Sequence, residues 1–376
     1  MKNILVILGT RPEAIKLAPV ILELNKRPEC KVWVCNTEQQ KELSNQTLAA
    51  FGIKSDFNLD VMRPNQSLGG VQARILTALE ELFSQHHFDA TIVQGDTMTV
   101  LCGALVSYYH HAEVFHVEAG LRSYDLFEPF PEEAIRQMTA RIATAHFAPT
   151  PKAAKALTLE NIAPEKIFVT GNTVIDALYA LSPQVLAGEH SLLAKRGIRF
   201  DDKLVLVTVH RRENHGERLE HILRALGKLA QEFADHQFIL PVHPNPNVHN
   251  KVFERLGNFA NVILTEPLDY PALVCLMQNT KLVLTDSGGI QEEAPSFGNP
   301  VLVMRYETER MEGVEAGFAK LVGADEAEIL RQARLILQQD KAATRKDGTL
   351  NPFGDGQAAV KIAQIITLSG RKADAA

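Results

Sequence analysis

Short apolar runs alternate with amphipathic stretches along the whole chain. Residues 4–8, 32–35, 90–94, 114–117 and 167–170 read as buried strands. A second series of the same kind occupies 204–209, 238–242, 262–264, 282–285 and 301–304. Between them, apolar positions recur with a helical period, as in 68–83, 131–145 and 219–233. Strand and helix alternating in this way predict parallel sheets covered on both faces. The fold class is therefore α/β, with two Rossmann-like domains. The divide is expected within 171–181, ahead of a polar, Gly-containing stretch over 187–202, giving domains 1–171 and 172–356. Residues 339–356, rich in charge and Gly, read as a long loop, and a final helical segment within 357–376 is expected to return to the first domain. Pro19 lies inside the first expected helix and argues against its continuity.

Composition narrows the function classes. A chain of 376 residues exceeds the usual single domain, and 45% hydrophobic residues can fill two cores. The net charge of −6, with no basic block, excludes a nucleic-acid footprint, so an anionic ligand would have to be held locally. Cys30, Cys35, Cys102 and Cys275 are scattered without metal-type spacing, which suits a reducing compartment. The apolar run at 4–8 is far too short for a signal peptide or a membrane span. A cytoplasmic protein with no membrane or nucleic-acid partner is expected.

Ligands of open α/β sheets gather at the carboxyl ends of the strands, and that rule sorts the polar residues. After 282–285 come Asp286, Ser287, Gly288 and Gly289, then the start of a helix. Small residues at a helix N-terminus let an anion approach backbone N–H groups, and Glu293 lies close enough to reach what the anion carries. The same residues also make ordinary tight turns. Behind the first strand, Thr10 and Glu13 form a capping box, and Arg11 and Lys16 place two cations near a helix N-terminus. An anionic ligand would relieve that conflict, as would simple solvation. This turn lacks G-x-G-x-x-G, so no dinucleotide cofactor is expected there.

Asp96 follows the strand at 90–94, where an N-cap role competes with a functional one. Glu118 follows the next strand and has no comparable capping preference, with Ala119 and Gly120 clearing space around it. Glu132 and Glu133 read by themselves as ordinary first-turn helix acids. His210 and His243 each stand at a strand exit without a metal-type partner, which casts His210 and its neighbours Arg211 or Arg212 as diphosphate contacts or proton carriers. Arg310, after the strand at 301–304, could join the cations.

Five motifs in order carry a resemblance: Gly9-Thr10-Arg11-Pro12-Glu13-Ala14-Ile15-Lys16, His116-Val117-Glu118-Ala119-Gly120-Leu121-Arg122, His210-Arg211-Arg212-Glu213, Thr285-Asp286-Ser287-Gly288-Gly289-Ile290-Gln291-Glu292-Glu293 and Asn351-Pro352-Phe353-Gly354-Asp355-Gly356. Over essentially its whole length the chain closely resembles the bacterial non-hydrolysing UDP-N-acetylglucosamine 2-epimerases. The resemblance implies a GT-B-like fold with the active site in the interdomain cleft. It also implies a homodimer that converts UDP-N-acetylglucosamine reversibly to UDP-N-acetylmannosamine, with no metal or other cofactor. In that family UDP leaves C1, the C2 proton is lost to give 2-acetamidoglucal, and UDP adds back with a proton delivered to the opposite face. Such a route needs cations for the departing diphosphate, and carboxylates to stabilise positive charge and move protons.

Carried over by position, the resemblance makes Asp96, Glu118 and Glu132 catalytic carboxylates, with His210 assisting, and so lifts Glu132 above the helix-acid reading. It places Arg11, Lys16, Asp96, Glu118, His210, Ser287, Gly288, Gly289, Glu293 and Arg310 against substrate, with Leu268 and Leu273 on the uracil side. Gln39-Gln40-Lys41 and Asn65 depart from a pattern linked in several members to a second, activating substrate molecule, and Tyr306 and Met311 depart around Arg310. A hydrolysing epimerase, a GT-B glycosyltransferase and a silent nucleotide-sugar sensor are the neighbouring possibilities.

Overall fold

The computed structural model describes residues 1–369 apart from Asp347 and Thr349 and, at Arg212, the backbone alone. The chain forms two compact units, Met1–Ala180 together with the segment from Gly354 onward, and Leu181–Phe353. The strands of the first are β1 (Lys2–Leu8), β2 (Cys30–Asn36), β3 (Phe57–Asn58), β4 (Ala90–Gln94), β5 (Glu113–Val117), β6 (Ala145–Ala148) and β7 (Ile167–Val169). Those of the second are β8 (Leu204–Thr208), β9 (Gln237–Pro241), β10 (Val262–Thr265), β11 (Leu282–Thr285), β12 (Val301–Val303) and β13 (Ala319–Leu321). The sheet orders are β3-β2-β1-β4-β5-β6-β7 and β10-β9-β8-β11-β12-β13, and the named strand pairs are parallel. Both units therefore share one winding. The chain builds outward from the first strand, then returns to that strand's other edge.

Continuous apolar runs make these central strands because both faces are covered by helices. Residues Ile4 to Leu8 of β1 and Leu204 to Leu206 of β8 are fully buried. Leu5, Ile7 and Val93 pack with Ile75 and Leu79 in the first unit, and Val207, Leu240 and Leu284 pack with Ile222 and Leu226 in the second. Each such side chain contributes about 1.5–3 kcal/mol.

The α/β reading holds, with local corrections. β3, β6 and β13 were absent from the expected strands. β6 hides because only Ala143 and Thr144 separate it from the helix Glu132–Ile142, so its apolar residues extend the helical pattern into one expected run. The helix Arg11–Asn25 runs unbroken through Pro19. A proline there costs about 3 kcal/mol. The burial of Leu17, Val20, Ile21 and Leu24 on the same helix outweighs it. The polar stretch expected over 187–202 belongs as far as Lys195 to a helix, Pro183–Lys195, polar because Leu193 is its one buried residue. The helix Thr173–Ala180 packs against Arg11–Asn25 and against Ala358–Leu368, which carries the end of the first unit past 171 to Ala180. The last helix starts with the Ala359 N–H donating to Asp176 Oδ1 at 2.8 Å. Residues 370–376 of the expected segment lie outside the described residues.

Candidate active site

In both sheets the winding reverses between two central strands, β1 and β4 in the first and β8 and β11 in the second. Loops leaving the carboxyl ends of such a pair diverge and open a crevice, the usual ligand position in open α/β sheets. Arg11, Lys16 and Asp96 lie in or just after the loops of the first pair, and His210 and Ser287 to Glu293 in or just after those of the second.

In the first unit, β1 ends at Gly9-Thr10-Arg11, β4 at Gly95-Asp96-Thr97 and β5 at Glu118. Glu13 ties the first two loops together. Its Oε2 accepts the N–H groups of Gly9 (2.9 Å) and Thr10 (2.7 Å), and its Oε1 accepts the Thr97 hydroxyl at 2.6 Å. Burial pushes the Glu13 carboxyl above its ordinary range, against these hydrogen bonds. Lys16 lies one turn on and reaches Glu118, Nζ to Oε2, at 2.5 Å. Gln94 Nε2 donates to the same oxygen at 2.6 Å. Both members of the ion pair are nearly buried, with 11% and 8% of their side chains exposed. Glu118 has φ of +62°, a left-handed conformation that costs a non-glycine residue about 1–2 kcal/mol. Strain of this kind collects at functional positions.

Asp96 is not a helix cap: Thr97 accepts the Val100 N–H and caps Met98–Tyr109 itself. Asp96 Oδ2 instead accepts from Arg136, at 2.8 Å from Nε and 2.7 Å from Nη2. Arg136 also reaches Glu133, Nη1 to Oε2, at 3.3 Å. Glu133 is fully buried and accepts the N–H groups of Ser123 (3.0 Å) and Tyr124 (3.2 Å), bracing the loop that leads to its own helix. The neighbouring acids of that first turn have separate fates. Glu133 is committed to structure, whereas Glu132 has a buried Oε2 with no hydrogen-bond partner. An orphaned carboxylate oxygen beside a loop of this kind suits a group that meets a ligand.

Gly120 has a different reason from the one its sequence suggested. With φ of +93°, an added Cβ would stand 2.3 Å from the Ala153 carbonyl oxygen. The glycine permits close approach of the helix Pro151–Leu159, rather than clearing room for Glu118. His116 is buried, its Nε2 2.7 Å from the Gly95 carbonyl oxygen, and burial lowers its pKa to about 4. Lys16 meets the conflict noted in the sequence through an internal anion, Glu118. Arg11 donates its backbone N–H to Gln40 Oε1 at 3.0 Å, so the Gln39-Gln40-Lys41 departure touches a candidate substrate-binding residue.

In the second unit, Asp286 is the hub. It is fully buried. Its carboxylate accepts the N–H groups of His210 (3.1 Å) and Arg211 (3.0 Å), and Asn214 Nδ2 at 3.0 Å, while His210 Nδ1 lies 3.1 Å from Oδ1. Asn214 also donates to the Met304 carbonyl at 3.0 Å, bringing in the loop after β12. The rings of His210 and His243 stack 6.3 Å apart. Burial, then the nearby charges of His210 and His215, lowers the His243 pKa.

The Ser287 N–H is already spent, donating to Thr285 Oγ1 at 2.9 Å. The helix it precedes, Gly288–Glu293, has only six residues, so its dipole is small. Arg310 lies directly over Gly288: an added Cβ would stand 2.9 Å from its guanidinium carbon. Arg310 also reaches Glu292 (2.9 Å) and Glu309 (3.1 Å). Burial raises the Glu309 carboxyl, but Arg310 and then Arg305 pull it down to about 2. Glu293 is buried, as is Leu268, and Leu273 is half-buried; both leucines stand after β10. Tyr306 is exposed and packs under Arg218, with 5.2 Å from guanidinium to ring. Asn351 anchors the last motif by donating to the Glu292 carbonyl at 2.8 Å and to Ser296 Oγ at 2.7 Å.

Sequence reasoning missed Gln94, Glu133, Arg136 and Asp286. Gln94 and Asp286 were signalled by position, as the last residue of a strand and the first after one. Arg136 was signalled by its i+4 spacing from Glu132 on a helix that starts beside the site. Among the described residues no cluster of His, Cys, Asp and Glu is arranged to hold a metal ion, and no helix is long and apolar enough to cross a membrane.

A profile of the UDP-N-acetylglucosamine 2-epimerase family matches residues 22–367. The UDP-N-acetylglucosamine 2-epimerase of Salmonella typhimurium is 44% identical, covering 97% of this chain and 98% of its own. That of Bacillus subtilis is also 44% identical, over 96% and 94%. The crystal structure of UDP-GlcNAc 2-epimerase from Neisseria meningitidis bound to UDP-GlcNAc superposes with a TM-score of 0.87 at 40% identity, over 97% and 99% of the two chains. The GT-B-like fold with two parallel α/β sheets is the one these proteins share.

Proposed function

The chain belongs to the UDP-N-acetylglucosamine 2-epimerase family, and from that premise we propose that it interconverts UDP-N-acetylglucosamine and UDP-N-acetylmannosamine by elimination and re-addition of UDP. It is an isomerase. The C2 proton of the sugar has no adjacent carbonyl to acidify it, so direct removal and return is blocked. Breaking C1–O first, with the bonding pair leaving on UDP, builds positive charge at C1 and acidifies C2–H. Loss of that proton gives 2-acetamidoglucal. Addition of UDP back to C1, with a proton placed on the opposite face of C2, completes the inversion. The steps are redox-neutral and call for no cofactor.

The observation that supports this best is the pairing of Glu118 with Lys16 and Gln94 in a strained backbone beside the β1–β4 reversal. A carboxylate so held is pre-oriented, as stabilisation of an oxocarbenium-like centre requires. Asp96, fixed by Arg136, and Glu132, with its unpartnered oxygen, are the proton-handling pair. Lys16 and Arg11 serve the substrate from the first unit. His210, Arg310, the Ser287 hydroxyl and the N–H groups of Gly288 and Gly289 take the diphosphate, Glu293 the ribose, and Leu268 and Leu273 the uracil. The protein acts as a cytoplasmic homodimer in this account, the dimer being open to light scattering.

The test is proton NMR of UDP-N-acetylglucosamine with the protein in D2O. Both epimers should appear, each with deuterium at C2, and the rate should be unchanged by EDTA. Accumulation of free N-acetylmannosamine, or epimers without deuterium, would contradict the account.

A further inference from the structure

We propose that Asp286 is a positioning residue for His210, holding the imidazole with its Nδ1 proton turned inward so that Nε2 alone is offered to the leaving diphosphate. This rests on the role given to His210 above. Three observations carry it. Asp286 is fully buried although it is a carboxylate, so what surrounds it must supply its hydrogen bonds. Its two oxygens are divided: Oδ2 takes the Arg211 N–H and Asn214 Nδ2, both at 3.0 Å, while Oδ1 faces His210 Nδ1 at 3.1 Å. The His210 N–H, 3.1 Å from each oxygen, sits between them. The pair also spans the two loops that part at the β8–β11 reversal, so one contact fixes the ring relative to both.

A carboxylate can only accept, so Nδ1 must carry its proton. The ring edge bearing Nε2 is then the one left to work, and 38% of the His210 side chain is exposed. As the C1–O pair departs onto phosphate, the Nε2–H of the imidazolium stabilises that negative charge by hydrogen bonding. No covalent bond to histidine forms. The charged groups around His210 oppose one another. Asp286, from the loop after β11, faces the ring at Nδ1, whereas His243 from the loop after β9 stacks on it. His215 and Arg211 of its own loop add positive charge, and Arg305 and Arg310 after β12 act on Arg211. Asp286 is thus the one anion in direct contact with the ring among the described residues.

The Asp286→Asn variant separates positioning from scaffolding. An asparagine can keep its oxygen towards Arg211 and Asn214 while turning its NH2 towards Nδ1, which removes both the anion facing the ring and the acceptor that keeps the Nδ1 proton turned inward. For Asp286→Asn the expected result is a fall in kcat of at least about 10²-fold, with the Kd for UDP changed by less than about threefold. In a His210→Asn background the same substitution should cost less than about twofold. Equal losses in both backgrounds would overturn the proposal.

Should Asp286→Asn fail to fold, nitrogen-15 NMR of the histidine rings in the wild-type protein decides, with His210 assigned by its absence in His210→Asn. Nδ1 should remain protonated while Nε2 titrates; titration at Nδ1 would refute the pairing. A wild-type protein inactive on UDP-N-acetylglucosamine would defeat the proposed function, yet leave this ring measurement as it stands.

Discussion

Glu118 and Lys16 form an ion pair that neither water nor a surface position would maintain. With their side chains only 8% and 11% exposed, each is expensive to leave without the other. Lys16→Met should destabilise the protein by about 3–5 kcal/mol in urea unfolding, the penalty for a buried charge stripped of its cation. Adding Glu118→Gln to that variant should recover most of the loss. Glu118→Gln alone should cost less stability than Lys16→Met, since Gln94 and Lys16 can both still donate to the amide oxygen, while kcat falls by about 10²–10⁴-fold. Sequence position located Asp96, Glu118 and His210, because strand exits in α/β sheets are few and face one way. It could not reveal that Glu133 rather than Glu132 supports the loop, or that Arg136 holds Asp96. Those pairings depend on how the helix Glu132–Ile142 meets β4, which no local pattern encodes.

At the scale of elements, two glycines show why a motif can be legible and its cause still hidden. Both stand where small residues suggested open space, and both are closely packed. Gly120→Ala would push a Cβ against the Ala153 carbonyl and force φ of +93° on a residue that resists it. A loss of about 3–4 kcal/mol is expected by thermal or urea unfolding. Gly288→Ala meets the side-chain end of Arg310 rather than backbone, so the fold should survive while the guanidinium is displaced. Its signature would be a Kd for UDP weakened by about tenfold or more in calorimetry, with little change in Tm. The strands were readable because a parallel sheet demands unbroken apolar runs. β6 was not, since Ala145–Ala148 follows a helix so closely that one period runs into the next.

For the whole molecule, buried imidazoles set the response to acid. Burial lowers His116 to about 4 and His146, with the charge of His116 adding to it, to about 3, from an ordinary 6.5. Above pH 6.5 both rings are neutral in either state and stability is complete. Below it the unfolded chain takes up protons that the native state refuses, so stability falls by up to about 1.4 kcal/mol per pH unit for each ring until pH approaches those lowered values. Asp176 works the other way. Burial raises it to about 6, so the native state gains a proton below that pH before the unfolded chain does. Urea unfolding from pH 7.5 to 5 should therefore show a net decline, flattened by His146→Phe and steepened by Asp176→Asn.

The central claim is that C2 inverts only because C1–O breaks. It is tested most directly with UDP-N-acetylglucosamine carrying oxygen-18 in the bridge between sugar and phosphate, followed by phosphorus NMR as epimerisation proceeds. Rotation of the released phosphate should scramble the label into non-bridging positions at a rate no slower than the appearance of UDP-N-acetylmannosamine. Complete epimerisation with the label still in the bridge would contradict the account.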